Sequence, residues 1–253
     1  MSRYLLRSLC AATLLAFGAN ANANLINEFE PNPAGGDPAD TTFELSGTPS
    51  TAFDLWIVSI ENDGLNGTVD RAAQVTGSYD ASGLAVVTVP DLENPTFTVI
   101  LTDDFGGAIG DDIDPADDGT LDLSEFGTIL DAVGVSDSFG DDATLYAAGL
   151  GGTNILYNGQ FEPLLAYRDG ATGEFLQTVT VNFGDPDQFV GVFTAGGELI
   201  PGAFSFDDPG ADVTATTFGA VNPSNVIPEP GTMVLVLLGS AAGVAVRMRR
   251  TLG

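Results

Sequence analysis

The feature that most constrains this chain is its rhythm of short β-prone runs. Thr41–Leu45, Phe53–Glu61, Leu84–Val89, Thr96–Thr102, Thr128–Val135, Glu162–Arg168, Glu174–Phe183 and Gln188–Thr194 are rich in β-branched and aromatic residues and bounded by Gly, Asp or Asn. No long amphipathic helical pattern interrupts them. Eight such runs in 253 residues predict an all-β fold, a β-sandwich. Within Phe175–Phe183, Phe175, Gln177, Val179, Val181 and Phe183 fall on one face, with Leu176 and several Thr on the other. Asn66-Gly67, Asn158-Gly159 and Asp169-Gly170 stand where hairpins would turn. Hydrophobic residues make up 44% of the chain and include 16 Phe, enough for a packed core that would take in Trp56.

Charge and chemistry narrow the function classes. The chain carries 35 acids against seven Arg, with no Lys and no His, for a formal charge of −28. Such a balance excludes a nucleic-acid partner, whose phosphates demand clustered cations. Without imidazole there is no His-based triad and no His-ligated zinc or haem. Between the two termini only Arg71 and Arg168 are cationic, so the body is a strongly negative surface that repels polyanions and attracts divalent cations. Carboxylate pairs suited to glycoside hydrolysis are too numerous among so many acids to mark a site. No phosphate loop follows the strand-to-helix pattern. The expectation is a protein that is not an enzyme.

Both ends read as addresses. Arg3 and Arg7 precede an apolar run from Leu9 to Phe17, and Ala21-Asn22-Ala23 is a small-x-small cleavage site. Residues 1–23 therefore read as a secretory signal peptide cut after Ala23, a cut that also removes Cys10, the only cysteine. At the other end Pro228-Glu229-Pro230 opens an uncharged stretch to Val246, ~26 Å long as a helix and just enough to span a membrane. Arg247, Arg249 and Arg250 follow at once and fit the cytoplasmic side. Pro-Glu-Pro, transmembrane helix and Arg cluster together resemble the PEP-CTERM sorting signal of Gram-negative bacteria, here residues 227–253. The resemblance implies an exosortase as processing partner and a precursor anchored in the inner membrane. After cutting, the body is released to the cell surface or extracellular matrix.

The body, residues 24–200, carries a second resemblance. Leu25-Ile26-Asn27-Glu28-Phe29, then Pro31-Asn32-Pro33-Ala34-Gly35 and Asp37, then Phe43-Glu44-Leu45 resemble the opening of lamin-tail domains. The family's opening is a strand ending Asn-Glu, a Pro/Gly loop, and a strand ending Glu-Leu. The resemblance implies an immunoglobulin-like sandwich. The positions of Glu28 and Glu44 would let them meet across neighbouring strands near the loop. Residues 201–226 read as a last strand (Ala203–Phe206) and a linker.

One run suggests a metal. Counting an EF-hand loop from Asp114 places Asp118 at position 5, Gly119 at 6, Asp122 at 9 and Glu125 at 12, with the Thr120 carbonyl at 7. Calcium takes six to eight hard oxygens, and this run supplies them. Ala116 replaces the ligand expected at position 3, and Phe105–Gly110 is a poor entering helix. A solvated acidic loop between strands remains the competing reading. If calcium binds, Phe105, Phe139, Tyr146 and Tyr157 are aromatic candidates beside it for a carbohydrate- or surface-binding adhesion module. Otherwise the expectation is a non-enzymatic exported surface or matrix protein in contact with extracellular polysaccharide.

Overall fold

The computed structural model describes residues 24–32, 38–63, 67–92, 96–160, 162–180, 189–201 and 216–224. The signal peptide, the expected strand at 203–206 and the whole sorting tail lie outside them. Among the described residues eleven strands are formed: β1 Leu25–Phe29, β2 Asp40–Ser46, β3 Ala52–Glu61, β4 Thr68–Ser78, β5 Leu84–Pro90, β6 Phe97–Thr102, β7 Ile129–Val135, β8 Thr153–Ile155, β9 Leu165–Arg168, β10 Phe175–Thr180 and β11 Phe189–Thr194. A single 3-10 turn, Ala147–Leu150, is the one helical element among the described residues.

The strands form two sheets. Sheet I runs β11-β10-β9-β1-β2-β5, and sheet II runs β4-β3-β6-β7-β8. Every pairing is antiparallel except β7 with β8. Ile26, Phe29, Phe43 and Leu45 of sheet I pack against Leu55, Ile57, Phe97, Val99, Leu101, Val133 and Val135 of sheet II. Phe29 and Phe43 stack with ring centroids 5.0 Å apart. Burial of these alternating side chains is the main force holding the two layers together, and the β-sandwich architecture is as expected.

Several elements depart from expectation. β4 pairs along all of β3, yet its Asp70-Arg71-Ala72-Ala73 centre carries no β-prone pattern; the partner strand imposes its conformation. β8 is three residues long and seated by Gly152, whose hydrogen stands where a Cβ would lie 2.0 Å from the Ala132 carbonyl oxygen. Trp56 is not in the core between the sheets. It sits half-buried on the outer face of sheet II, edge-on to Phe105 at 6.0 Å, because Leu55 and Ile57 take the inward positions. In β10 the expected two-faced alternation fails over the described side chains: Phe175 to Val179 are all buried, since β9 and β11 flank the strand and both faces are covered. Gln177 is accommodated there by donating to the Leu156 and Thr194 carbonyls. Asp169-Gly170 does turn the β9–β10 hairpin, with the Asp169 carboxylate accepting from the Ala171 and Thr172 amides. Asn158-Gly159 does not turn a hairpin; it carries the chain from β8 in sheet II to β9 in sheet I.

Sheet II is also covered on its outer face. The 26 residues between β6 and β7 fold back over Val58, Ile60, Val69, Ile100 and Ala132, inserting Phe105, Ile113, Leu121 and Phe126. The acidic run lies in this cover.

Candidate functional site

Within the cover, Asp114 is the organising residue. It is buried, and its carboxylate accepts the Gly119 amide at 2.9 Å, the Asp118 amide at 3.2 Å and the Tyr146 hydroxyl at 2.9 Å. Burial, together with that last contact, pushes the Tyr146 hydroxyl far above the usual tyrosine range. Ile113 beside it is buried and holds the loop through its amide and carbonyl, on the Gly67 oxygen and the Asp122 amide. Asp118 accepts the Thr120 amide, and Asp122 accepts the Ser124 amide, which lowers its pKa. Asp118, Thr120, Asp122 and Glu125 are exposed. Among the described residues no three acids converge in a way that would hold a metal ion. The EF-hand count brings its residues into one loop, but the carboxylates of Asp114, Asp118 and Asp122 serve as acceptors for backbone amides of that loop.

The aromatic candidates divide. Phe105 and Tyr146 do lie under the acidic loop, yet both are buried. Phe139 and Tyr157 meet edge-to-face at 4.9 Å, with Phe139 largely exposed, beside the turn that holds Asp141 and Asp142. Asp103 and Asp104 accept the Thr128 and Phe105 amides at the roots of the cover.

Burial marks a different carboxylate pair. β1 carries an irregularity between Ile26 and Glu28, so Ile26 and Phe29 both face the core and Glu28 turns outward. Glu28 thereby stands in register with Glu44 of β2, which faces outward between Phe43 and Leu45. One transverse row of the outer face of sheet I then reads Leu176, Tyr167, Glu28, Glu44, Val86. Both glutamates have no exposed surface because residues 216–224 lie across them. Glu28 accepts the Thr217 amide at 2.8 Å and the Thr217 hydroxyl at 2.6 Å; Glu44 accepts the Asn27 side-chain amide at 2.5 Å and the Gly219 amide at 2.6 Å. Burial pushes Glu28 up to about 7 against the lowering effect of Thr217, with Glu44 and Glu30 adding repulsion. Glu44 is raised for the same first reason, with Asp80 adding to it. Such a pair has the burial of an acid–base dyad, but the strap occupies the space a substrate would need.

The strap is fastened further along. Asn222 is buried and donates to the Asn27 and Arg168 carbonyls, and the Gly170 amide donates to the Pro223 carbonyl. Gly170 is required there, since a Cβ would lie 2.2 Å from the Asn222 oxygen. A linker reading of 201–226 misses this return of 216–224 to the sheet. The signal available in sequence was the Asn-Glu and Glu-Leu pairing, which places Glu28 beside Glu44 but says nothing of what covers them.

The cleavage residues Ala21 and Ala23, and the sorting residues Pro228, Glu229, Pro230, Arg247, Arg249 and Arg250, lie outside the described residues. Among the described residues no helix is long and apolar enough to cross a membrane. No curated protein and no solved structure is significantly similar to the chain. Residues 226–250 match the model of the PEP-CTERM protein-sorting motif, which begins one spacer residue beyond Ser224, the last described residue of the strap. The segment after the sandwich is therefore the sorting tail of an exported, membrane-anchored precursor that an exosortase processes.

Proposed function

We propose that this is a non-enzymatic display protein: a rigid, acidic sandwich exported across the inner membrane, cut free of its sorting tail, and held at the cell surface or in extracellular polymeric material. The observation that carries this reading is the sorting motif at 226–250 placed directly after the strap that closes the sandwich. The lamin-tail reading of the body is supported by the register of Glu28 with Glu44 and by the Asn27–Glu44 bond, which join the two halves of the resembling segment. The buried carboxylate pair that faces across the β1–β2 ladder is engaged by the strap, which supports a structural over a catalytic role. Calcium-dependent adhesion has less behind it, because Asp114 already satisfies its carboxylate with protein donors.

Deleting Pro228–Pro230 in the full chain tests the sorting half of the proposal. Loss of processing, with accumulation of the longer membrane-bound form, is the expected result. Unchanged processing and location would overturn it.

A further inference from the structure

The strap and the sorting motif are neighbours, and the strap is held by polar bonds more than by apolar burial. Gly219, Ala220, Val221 and Ser224 are exposed, Phe218 is half-buried, and Asn222 alone of its residues is buried. Beneath its end lies a cavity of about 330 Å³ lined in part by Leu25, Arg168, Gly170, Val221 and Asn222. With no buried apolar side chain of its own, the strap belongs to the part of a fold that opens locally before the core does. Pro228 stands four residues beyond Ser224, a reach of at most ~14 Å for a fully extended chain. Recognition of a peptide as an extended strand needs main-chain contacts along the bound segment, so an enzyme that takes Pro228–Pro230 in that mode needs the chain on both sides of it free. With the strap docked, the folded sheet stands within that reach.

We propose that residues 216–224 act as a brake on tail removal: docked on Glu28, Glu44 and the Gly170 turn, the strap limits access of the exosortase to Pro228–Pro230, and its local opening sets the processing rate. This rests on the sorting reading of 226–250. Thr217 and Gly170 are positioning residues here, because they act through the strap and touch no reacting bond.

The test uses the full chain in a host with its exosortase. Thr217→Val removes the hydroxyl that contacts both Glu28 and Asn222, and keeps the Thr217 amide that donates to Glu28. Gly170→Ala pushes the Asn222 end of the strap off the β9–β10 turn without touching the glutamates. Tail removal is followed by pulse-chase, strap opening by hydrogen exchange at Thr217 and Gly219, and body integrity by thermal melting. The expected result is faster exchange at both amides, a melting temperature close to that of the parent, and tail removal faster by about fivefold, the factor one lost hydrogen bond gives to a local equilibrium. Strap amides that exchange freely in the parent, or variants with an open strap that are processed at the parent rate or slower, would overturn the brake while leaving the sorting reading standing. A parent chain whose processing ignores deletion of Pro228–Pro230 would overturn both.

Discussion

Arg168 of sheet I and Asp131 of sheet II form an ion pair across the interior of the sandwich, Nη2 to Oδ2 at 2.8 Å. Arg168 also donates to the Ile26 and Gly173 carbonyls and lies 4.2 Å over the Phe175 ring. The same Asp131 oxygen accepts the Ile26 amide, so this one carboxylate ties β7 to both β1 and β9. Arg168 is one of two cations in an acidic body, and it is mostly buried against Asp131.

Arg168→Ala leaves the Asp131 carboxylate buried without its cation. The expected cost is about 3–5 kcal/mol, because a buried charge loses its partner, and the chain should melt roughly 10 °C lower. Arg168→Lys keeps the charge but not the planar fork that reaches Ile26, Gly173 and Asp131 together, so it should recover only part of the loss. Denaturant unfolding of the three proteins checks the order; equal stability of the Lys and parent forms would show that charge alone matters.

Asp114→Ala strips an acceptor from the Asp118 and Gly119 amides and from the Tyr146 hydroxyl. A loss of about 1–3 kcal/mol is expected for groups left unsatisfied under the cover. Asp118→Ala, at an exposed position, should change stability by less than about 0.5 kcal/mol. Thermal melts with millimolar calcium, with chelator and with magnesium should leave both differences unchanged. A calcium-selective rise of several degrees that disappears in Asp118→Ala would instead make the run a metal site.

Gly152→Ala should unseat β8. The new Cβ would meet the backbone oxygen of Ala132 at 2.0 Å, and backbone cannot swing aside as a side chain can. Ile155, wholly buried, would be pulled from the core with its strand. The cost should reach the upper end of the about 1–3 kcal/mol seen on overpacking. Gly149→Ala, with open space around its Cβ position, is the matched control and should be close to neutral. Equal melting temperatures for the two would contradict the packing of β8 on β7.

The two-sheet architecture was legible because each inward strand shows its own alternation, as Phe43 and Leu45 or Leu55 and Ile57 do. β4 was not, because Asp70-Arg71-Ala72-Ala73 becomes a strand only by pairing with β3. The place of Trp56 is not legible, because periodicity tells which residues share a face but not which face is inside; sheet II has a second apolar face under the cover. The acidic run was legible as a turn-rich loop, while the burial of Asp114 depends on Tyr146, 32 residues away. The glutamate clasp depends on an irregularity in β1 and on Thr217, 189 residues from Glu28, and neither leaves a local pattern.

The clasp makes strap docking depend on pH, with a sign fixed by the raised acids. Glu28 stands at about 7 when covered, against 4.5 for the free side chain, so the covered form binds the proton more tightly. Groups facing the pair are Glu30, Asp80 and the cross-strand Tyr167, none of them cationic. The contribution of Glu28 to docking is therefore fully present below about 4.5 and is lost as pH rises through about 7. Its ceiling is on the order of 3 kcal/mol, with Glu44 acting in the same direction. Protection of the Thr217 and Gly219 amides, corrected for intrinsic exchange, should fall as pH is raised from about 5.5 to about 8.5. Glu28→Gln, neutral at every pH, should flatten most of that fall. Protection that instead rises with pH would mean that the ionised Glu28, through its bonds from the Thr217 amide and hydroxyl, holds the strap more firmly than the neutral acid does.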